Sequence, residues 1–257
     1  MDGEKAPKMK TLYWTMKLLE QFDGEHDRRG VTELAALTQI PKASVSNALS
    51  TFEQLGYVRR HMQSGKYSLG PKAVCLYHNF FAGNRDAMLY RSECRTLSDR
   101  TDSIVQVCFV MEGRLICLAG AAPARYVQAD MSGSEMPIHS TAAGKALLAF
   151  MDGRQRRQIY DKGLKAMTVF TITDPARLEE EMEKVRRREH ATDTMENEYG
   201  MCSVAVPLWS NDSHTLPPRY AISVTVPAEK LENDQVFDLV KIIRDSHREA
   251  RMALSRE

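Results

Sequence analysis

No uncharged apolar run in this chain approaches the roughly 18 residues that a membrane-spanning helix needs, and the stretch Met1 to Lys10 has no apolar core of the kind a signal peptide carries. The expectation is therefore a cytoplasmic protein with no membrane partner. Cysteine is sparse and odd in number: Cys75, Cys94, Cys108, Cys117 and Cys202 sit in apolar surroundings without any C-x-x-C spacing. That pattern predicts reduced core thiols rather than a disulfide framework, and no metal site. Signatures of catalysis are missing as well. Neither G-x-S-x-G nor H-E-x-x-H occurs, and Ala143-Gly144-Lys145 fails the phosphate-loop frame. That frame needs glycine where His139 stands and serine or threonine where Ala146 stands. Ser140 and Thr141 suit helix capping better than nucleophilic attack. The expectation is a chain that is not an enzyme and holds no cofactor.

An excess of one charge is lacking too. Lys plus Arg number 35 against 34 Asp plus Glu, which does not fit a nonspecific nucleic-acid coat. The basic side chains that matter are local: between Lys42 and Lys66 there are four Lys or Arg and one acid, Glu53. At 257 residues the chain is long enough for two domains, each with its own core.

Residues 31–70 carry most of the information. A helix is predicted over 32–38, with Leu34 and Leu37 on one side, and Gln39-Ile40-Pro41 breaks it. Pro41 suits the first position of a second helix. In that helix Val45, Ala48, Leu49, Phe52 and Leu55 recur at i, i+3, i+4, i+7, i+10. Gly56 then supplies the left-handed residue that ends it. Two short strands, 57–61 and 66–69, meet at Gln63-Ser64-Gly65. Two helices across a tight turn followed by a hairpin describe a winged helix-turn-helix.

With 100° per residue, Ala43, Ser46, Asn47 and Ser50 point away from the apolar face, flanked by Lys42 and Ser44. A recognition helix reads base edges from its N-terminal half. The Asn47 amide suits adenine, and Ala43 suits a thymine methyl. Lys42, Arg59, Arg60 and Lys66 are placed to meet phosphates. The plain alternatives are a merely solvated polar face or a protein-docking module. Small side chains and the absence of acids between Lys42 and Ser50 favour DNA.

Beyond Gly70 a helix over 71–81, with Val74, Tyr77, Phe80 and Phe81, reads as a connector stopped at Gly83-Asn84. A helix over 85–100 follows, with Ala87, Tyr90, Cys94 and Leu97 on one face. Strands 103–111 and 115–121 turn at Glu112-Gly113. A helix is expected over 139–151 and another after Asp174-Pro175, with Asp as N-cap. Strands 192–194, 202–208 and 219–226, a polar loop over 209–218 and a last helix over 232–256 complete the chain. The predicted organisation is α+β: a winged helix-turn-helix over 8–70, a linker helix over 71–83 and a mixed α/β domain over 84–257. Strands in adjacent pairs favour one mixed sheet flanked by helices over a doubly wound fold.

Five segments carry a family resemblance. Met136-Pro-Ile-His-Ser-Thr-Ala-Ala-Gly-Lys-Ala-Leu-Leu-Ala-Phe150 resembles the helix-opening motif of IclR-type transcriptional regulators. Tyr199-Gly-Met-Cys-Ser-Val-Ala-Val-Pro-Leu208 and Tyr220-Ala-Ile-Ser-Val-Thr-Val-Pro227 resemble that family's paired effector-domain strands. Ile40-Pro-Lys-Ala-Ser-Val45 and Leu55-Gly-Tyr-Val-Arg59 resemble its winged helix. The resemblance implies a dimer or tetramer that binds operator DNA and, through a GAF-like C-terminal domain, a small organic effector. By position it places Ala142, Ala143, Asp193, Met201, Ser203, Ser223 and Thr225 around the effector.

Hydroxyls at Ser203, Ser223 and Thr225, with N–H groups at a helix start, are chemistry for a carboxylate. Ser223 and Thr225 would share one face of a strand. Hydroxyls that merely fasten the sheet, a ligand-independent architectural protein, and an enzyme domain fused to a winged helix stand as alternatives. The chain departs from the family at Thr194-Met195, where a second acid is usual, and at Asn47, where arginine is common.

Overall fold

The computed structural model describes residues 7–23, 26–126, 131–209, 216–231 and 233–254. The polar loop expected over 209–218 and the ends of the last predicted helix fall partly outside them. By its internal contacts the chain divides into two units, Met1–Asn84 and Arg85–Glu257.

In the first unit, α1 (Lys10–Leu19), α2 (Val31–Thr38) and α3 (Lys42–Gln54) precede a hairpin of β1 (Val58–Arg60) and β2 (Tyr67–Leu69), then α4 (Lys72–Ala82). The i, i+3, i+4 pattern does what its spacing requires. Val45, Leu49 and Phe52 of α3 bury against Leu34, Leu18, Phe22, Val58 and Tyr67 in a small core. The pattern overshoots at its edges: Leu37 and Leu55 are about half exposed. Leu55 lies beyond the last helical turn, as the C-cap, and Gly56 follows with φ +80°. Pro41 is the N-cap of α3 in extended backbone (ψ 137°) rather than its first helical residue. Sequence reasoning passed over α1, because its apolar residues wrap around it instead of forming one stripe. Of them Leu18 is buried, while Leu12, Tyr13, Trp14 and Met16 are exposed. In β1 and β2 the register pairs Val58 with Leu69 and Arg60 with Tyr67. Arg29 adds a backbone bridge to Tyr67, donating at 2.9 Å and accepting at 2.8 Å. In α4 the side chains of Val74, Leu76, Tyr77 and Phe80 are exposed.

The second unit begins with α5 (Arg85–Thr101), which is followed by β3 (Ile104–Met111), β4 (Arg114–Ala121) and β5 (Glu135–Met136). Then come α6 (Ala142–Leu148), α7 (Gly153–Tyr160), α8 (Pro175–Arg188), β6 (Ala191–Thr194), β7 (Met201–Leu208), β8 (Tyr220–Pro227) and α9 (Asn233–Leu254). The strands form one sheet in the order β5-β4-β3-β8-β7-β6. Every ladder is antiparallel, so the sheet is not of mixed direction. The β3–β4 turn uses Glu112 (φ 53°) and Gly113 (φ 74°), the two left-handed residues that a tight hairpin needs.

Helices α5 and α9 pack on one face of this sheet, and α6 lies across β6, β7, β8 and β3 on the other, with α8 against it. Small side chains allow α6 its close approach: Ala142, Ala143, Ala146 and Ala149 meet Ala191, Ala205 and Ala221 in the core. Gly144 is obligatory there, since a Cβ would lie 2.1 Å from the Ile138 carbonyl oxygen. Asp174 caps α8 by accepting from Arg177 N–H at 2.8 Å, as its position before Pro175 requires. Helix α6 starts later than the 139–151 expected, because Thr141 takes the N-cap and its Oγ1 accepts from Gly144 N–H at 3.2 Å.

Candidate functional site

The face expected to meet DNA is carried by α3. Lys42, Ala43, Ser44, Ser46, Asn47 and Ser50 are all exposed on it, opposite the buried Val45 and Leu49. Ser44 and Asn47 also border a groove of about 720 Å³, walled by Trp14 of α1 and by Ile40 in the turn before α3. The wing is braced from within: Arg59 Nε donates to Ser68 Oγ at 3.2 Å, and the Arg60 guanidinium lies 5.9 Å from the centre of the Tyr67 ring. Lys66 is exposed, with its ammonium 4.0 Å from Glu33. Arg59 and Arg60 are exposed as well. The result is a surface of short, neutral, hydrogen-bonding side chains edged by cations, the composition that suits a DNA groove.

The second candidate site lies on the α6 face of the sheet. Register places Asp193 of β6 opposite Ser203 of β7, and Ser203 opposite Thr225 of β8. One layer along, Ser223 of β8 lies opposite Gln106 of β3. Because side chains alternate, these five polar groups share one face across four strands. The Ser203 and Thr225 hydroxyls are 2.9 Å apart. Ser223 donates to the Gln106 carbonyl oxygen at 3.4 Å, and Gln106 Nε2 donates to the Met131 sulfur at 3.3 Å. Asp193, Ser203, Ser223 and Gln106 are all buried. Met201, two residues before Ser203, is half-buried on the same face. Ala142 and Ala143 are buried at the start of α6, which also packs on β6, β7 and β8. The N–H of Gly144 in that first turn is already taken by Thr141.

Asp193 does more than line this face. Its Oδ1 accepts from Glu196 N–H at 2.7 Å and Asn197 N–H at 3.2 Å, which shapes the turn between β6 and β7. Asn197 Oδ1 in turn accepts from the Ser140 hydroxyl at 3.0 Å. Lys145, pointing from α6, pairs with Glu196 Oε1 at 2.5 Å, and among the described residues Glu196 Oε2 has no hydrogen-bond partner. Burial pushes the Asp193 carboxyl up to about 6, against the pull of those two N–H groups and of Lys145. Burial likewise raises Glu196 and holds the His139 imidazole below its ordinary value.

Sequence reasoning missed Gln106, Ser140, Lys145, Glu196 and Asn197. A signal existed for two of them: Gln106 is the one polar residue in Ile104-Val-Gln-Val-Cys-Phe109, and Lys145 interrupts an otherwise apolar helix. Among the described residues no helix is long and apolar enough to cross a membrane, and no group of three or more His, Cys, Asp or Glu is arranged for a metal.

A winged helix with a short-chain recognition face, in one chain with an antiparallel sheet domain bearing a polar row, defines a DNA-binding transcriptional regulator. Residues 89–251 match the family described as "Bacterial transcriptional regulator IclR C-terminal", and residues 15–61 match the "IclR helix-turn-helix domain". The chain belongs to the IclR family of transcriptional regulators and is not an enzyme. It is similar to the transcriptional repressor IclR of Escherichia coli K12, with 25% identity over 243 residues covering 93% of this chain and 87% of that protein. Its fold is similar to that of an IclR transcriptional regulator from Alicyclobacillus acidocaldarius, with a TM-score of 0.83 and 22% identity over 95% of this chain and 98% of that one. It is also similar in fold to an IclR homologue from Microbacterium hydrocarbonoxydans complexed with 4-hydroxybenzoate. There the TM-score is 0.79 and the identity 18%, over 96% of this chain and 100% of that one.

Proposed function

We propose that this regulator is ligand-responsive: a small carboxylated or aromatic metabolite binds in the second unit and changes the affinity of the winged helix for operator DNA. The carrying observation is the row of Asp193, Ser203, Thr225, Ser223 and Gln106 on one sheet face beside the start of α6. The 4-hydroxybenzoate bound by the Microbacterium homologue supports the ligand class. On the DNA side, Asn47 with Ala43, Ser44, Ser46 and Ser50 reads bases, while Lys42, Arg59, Arg60 and Lys66 hold phosphates. The working form is a homodimer or a pair of dimers acting in the cytoplasm. The ligand favours one arrangement of the linker helices, so the spacing of paired winged helices shifts. Its leverage is bounded by its differential affinity for the two arrangements.

A thermal-shift screen of carboxylated and aromatic metabolites tests this, because a ligand that binds only the folded state raises the midpoint. Hits are then titrated against the operator complex. The bonds Ser203–Thr225 and Ser223–Gln106 favour a second reading, in which the hydroxyls fasten the sheet of a ligand-independent regulator. Operator affinity that no hit changes would select it.

A further inference from the structure

Among the described residues, the charges acting on Asp193 leave no spare cation for an incoming carboxylate. Lys145 is the cation whose charge acts on Asp193; it is 1% exposed and matched by Glu196. Asp193 adds a second carboxylate. Its position opposite Ser203 puts the two Cβ atoms about 4.5–5.5 Å apart. Both of its hydrogen bonds use Oδ1, and among the described residues Oδ2 accepts none.

The titratable and charged groups that face Asp193 are few. Lys145 comes from α6, Glu196 from the turn that follows, and Cys202 from β7. Ser203 lies across the ladder and Thr225 beyond it. Glu181 of α8 acts on Glu196, and His139, ahead of α6, faces Lys145. Because burial disfavours the imidazolium of His139, that ring supplies no standing positive charge. With Lys145, Glu196 and Asp193 all ionised the cluster carries a net negative charge. A ligand carboxylate seated on the Ser203, Ser223 and Thr225 hydroxyls would lie close to the buried Asp193, and two carboxylates sharing a buried site do not both stay ionised.

Resting on the ligand reading above, we propose that a carboxylate effector enters this site together with one proton, taken from solvent and held on Asp193 Oδ2. The protonated Asp193 then donates to the ligand carboxylate, a charge-assisted bond in place of a repulsion. Lys145 remains with Glu196, and Oδ1 continues to hold the turn. The burial that already raises the Asp193 carboxyl makes this proton cheap to acquire near neutral pH. The regulator therefore senses acidity and effector jointly, with no further binding site.

The test is calorimetric titration of 4-hydroxybenzoate, with benzoate as a second probe, into the full chain. Running it at about pH 7.5 in two buffers of different ionisation enthalpy counts the protons. The expected result is uptake approaching one proton per ligand, with affinity falling about tenfold per pH unit above neutrality. Asp193→Asn keeps an acceptor oxygen for both turn N–H groups, and should bind without proton uptake and with no pH dependence. Binding without proton uptake in the wild type overturns the proposal and leaves the ligand reading standing. Uptake that survives in Asp193→Asn but disappears in His139→Gln assigns the proton to the imidazole and also overturns it. No binding of either acid at about pH 6 or pH 7.5 removes the ligand reading and the proposal together. Should Asp193→Asn fail to fold, His139→Gln decides: wild-type uptake that persists in it supports the proposal, and uptake lost in it overturns the proposal.

Discussion

His247 of α9 lies with Nδ1 3.1 Å from Glu93 Oε2 of α5, and the glutamate side chain has no exposure. Glu93 Oε1 and His247 Nε2 are both buried and have no hydrogen-bond partner among the described residues. The Tyr90 ring stacks on the imidazole with centroids 6.2 Å apart. This polar seam joins the two helices that cover the sheet face opposite the polar row.

Such a pair contributes little net stability when intact, yet removing one member leaves the other unpaired. His247→Leu is expected to cost about 3–5 kcal/mol. The double variant Glu93→Leu with His247→Leu should recover most of that, since apolar replacement of a buried pair is close to neutral. Denaturant unfolding of the single and double variants is the measurement; equal losses in both would show that the cost is packing rather than polarity.

Asp193 gives the unliganded protein a distinctive pH response. Its carboxyl is raised to about 6 in the folded chain, so the folded state holds its proton more tightly than the unfolded state does. Its contribution is therefore most favourable at low pH and declines as pH rises from about 4 to about 6. His139 and His190, both lowered by burial, act in the opposite sense: they favour folding above the ordinary imidazole range and weaken it as pH falls through their folded values. The difference between wild type and Asp193→Asn isolates the first effect. Asp193→Asn should flatten the stability slope between about pH 4 and pH 6, by on the order of 2–3 kcal/mol in total. Thermal midpoints across that window check it, and parallel curves would remove Asp193 as the source.

Gly144→Ala should destabilise the second unit by at least about 2 kcal/mol, because the added Cβ meets backbone that cannot step aside. Gly153→Ala is the control: at that site a Cβ meets nothing nearer than 4.0 Å, the end of the flexible Arg156 side chain. Comparable midpoints for the two variants would contradict the close seating of α6.

On DNA, Asn47→Ala should lose about 1–3 kcal/mol of operator affinity and relax preference at one base pair. Arg59→Ala should weaken binding to every sequence and reduce the dependence on salt. Lys66→Ala should do the same to a smaller extent, since Glu33 already shares its charge. Titrations on operator and random duplexes at two salt concentrations separate these effects. Equal losses on both duplexes for Asn47→Ala would remove it as a base reader.

Periodicity exposed what periodicity builds. Helix α3 was legible because one stripe, Val45, Leu49 and Phe52, supplies much of a small core. Resemblance supplied the positions of Asp193, Ser203, Ser223 and Thr225, and alternation along β8 added that Ser223 and Thr225 share one face. Helix α7 escaped notice since Ile159 is its one buried residue, although Asp152 and Gln155 form a capping box that a closer look at the sequence could have found. Two-residue β5 has no pattern to read. Strand direction was misjudged because the long excursion from β4 to β6 hides the antiparallel pairing of β3 with β8. The Lys145–Glu196 pair joins residues 51 apart in sequence, a separation at which spacing says nothing about contact.

The pairing of β3 with β8 has a consequence for synthesis. Ile104–Phe109 of β3 find their partners at Tyr220–Thr225, so the middle of the sheet stays open until more than 100 further residues have been translated. Until then β3 presents an unpaired apolar edge, the kind that recruits other chains. Closing so distant a contact is slow because the intervening loop entropy must be overcome first. The nascent regulator can complete its helix-turn-helix early, well before the sheet of the second unit is closed. An interrupted translation product would thus carry a finished winged helix beside an unfinished sheet.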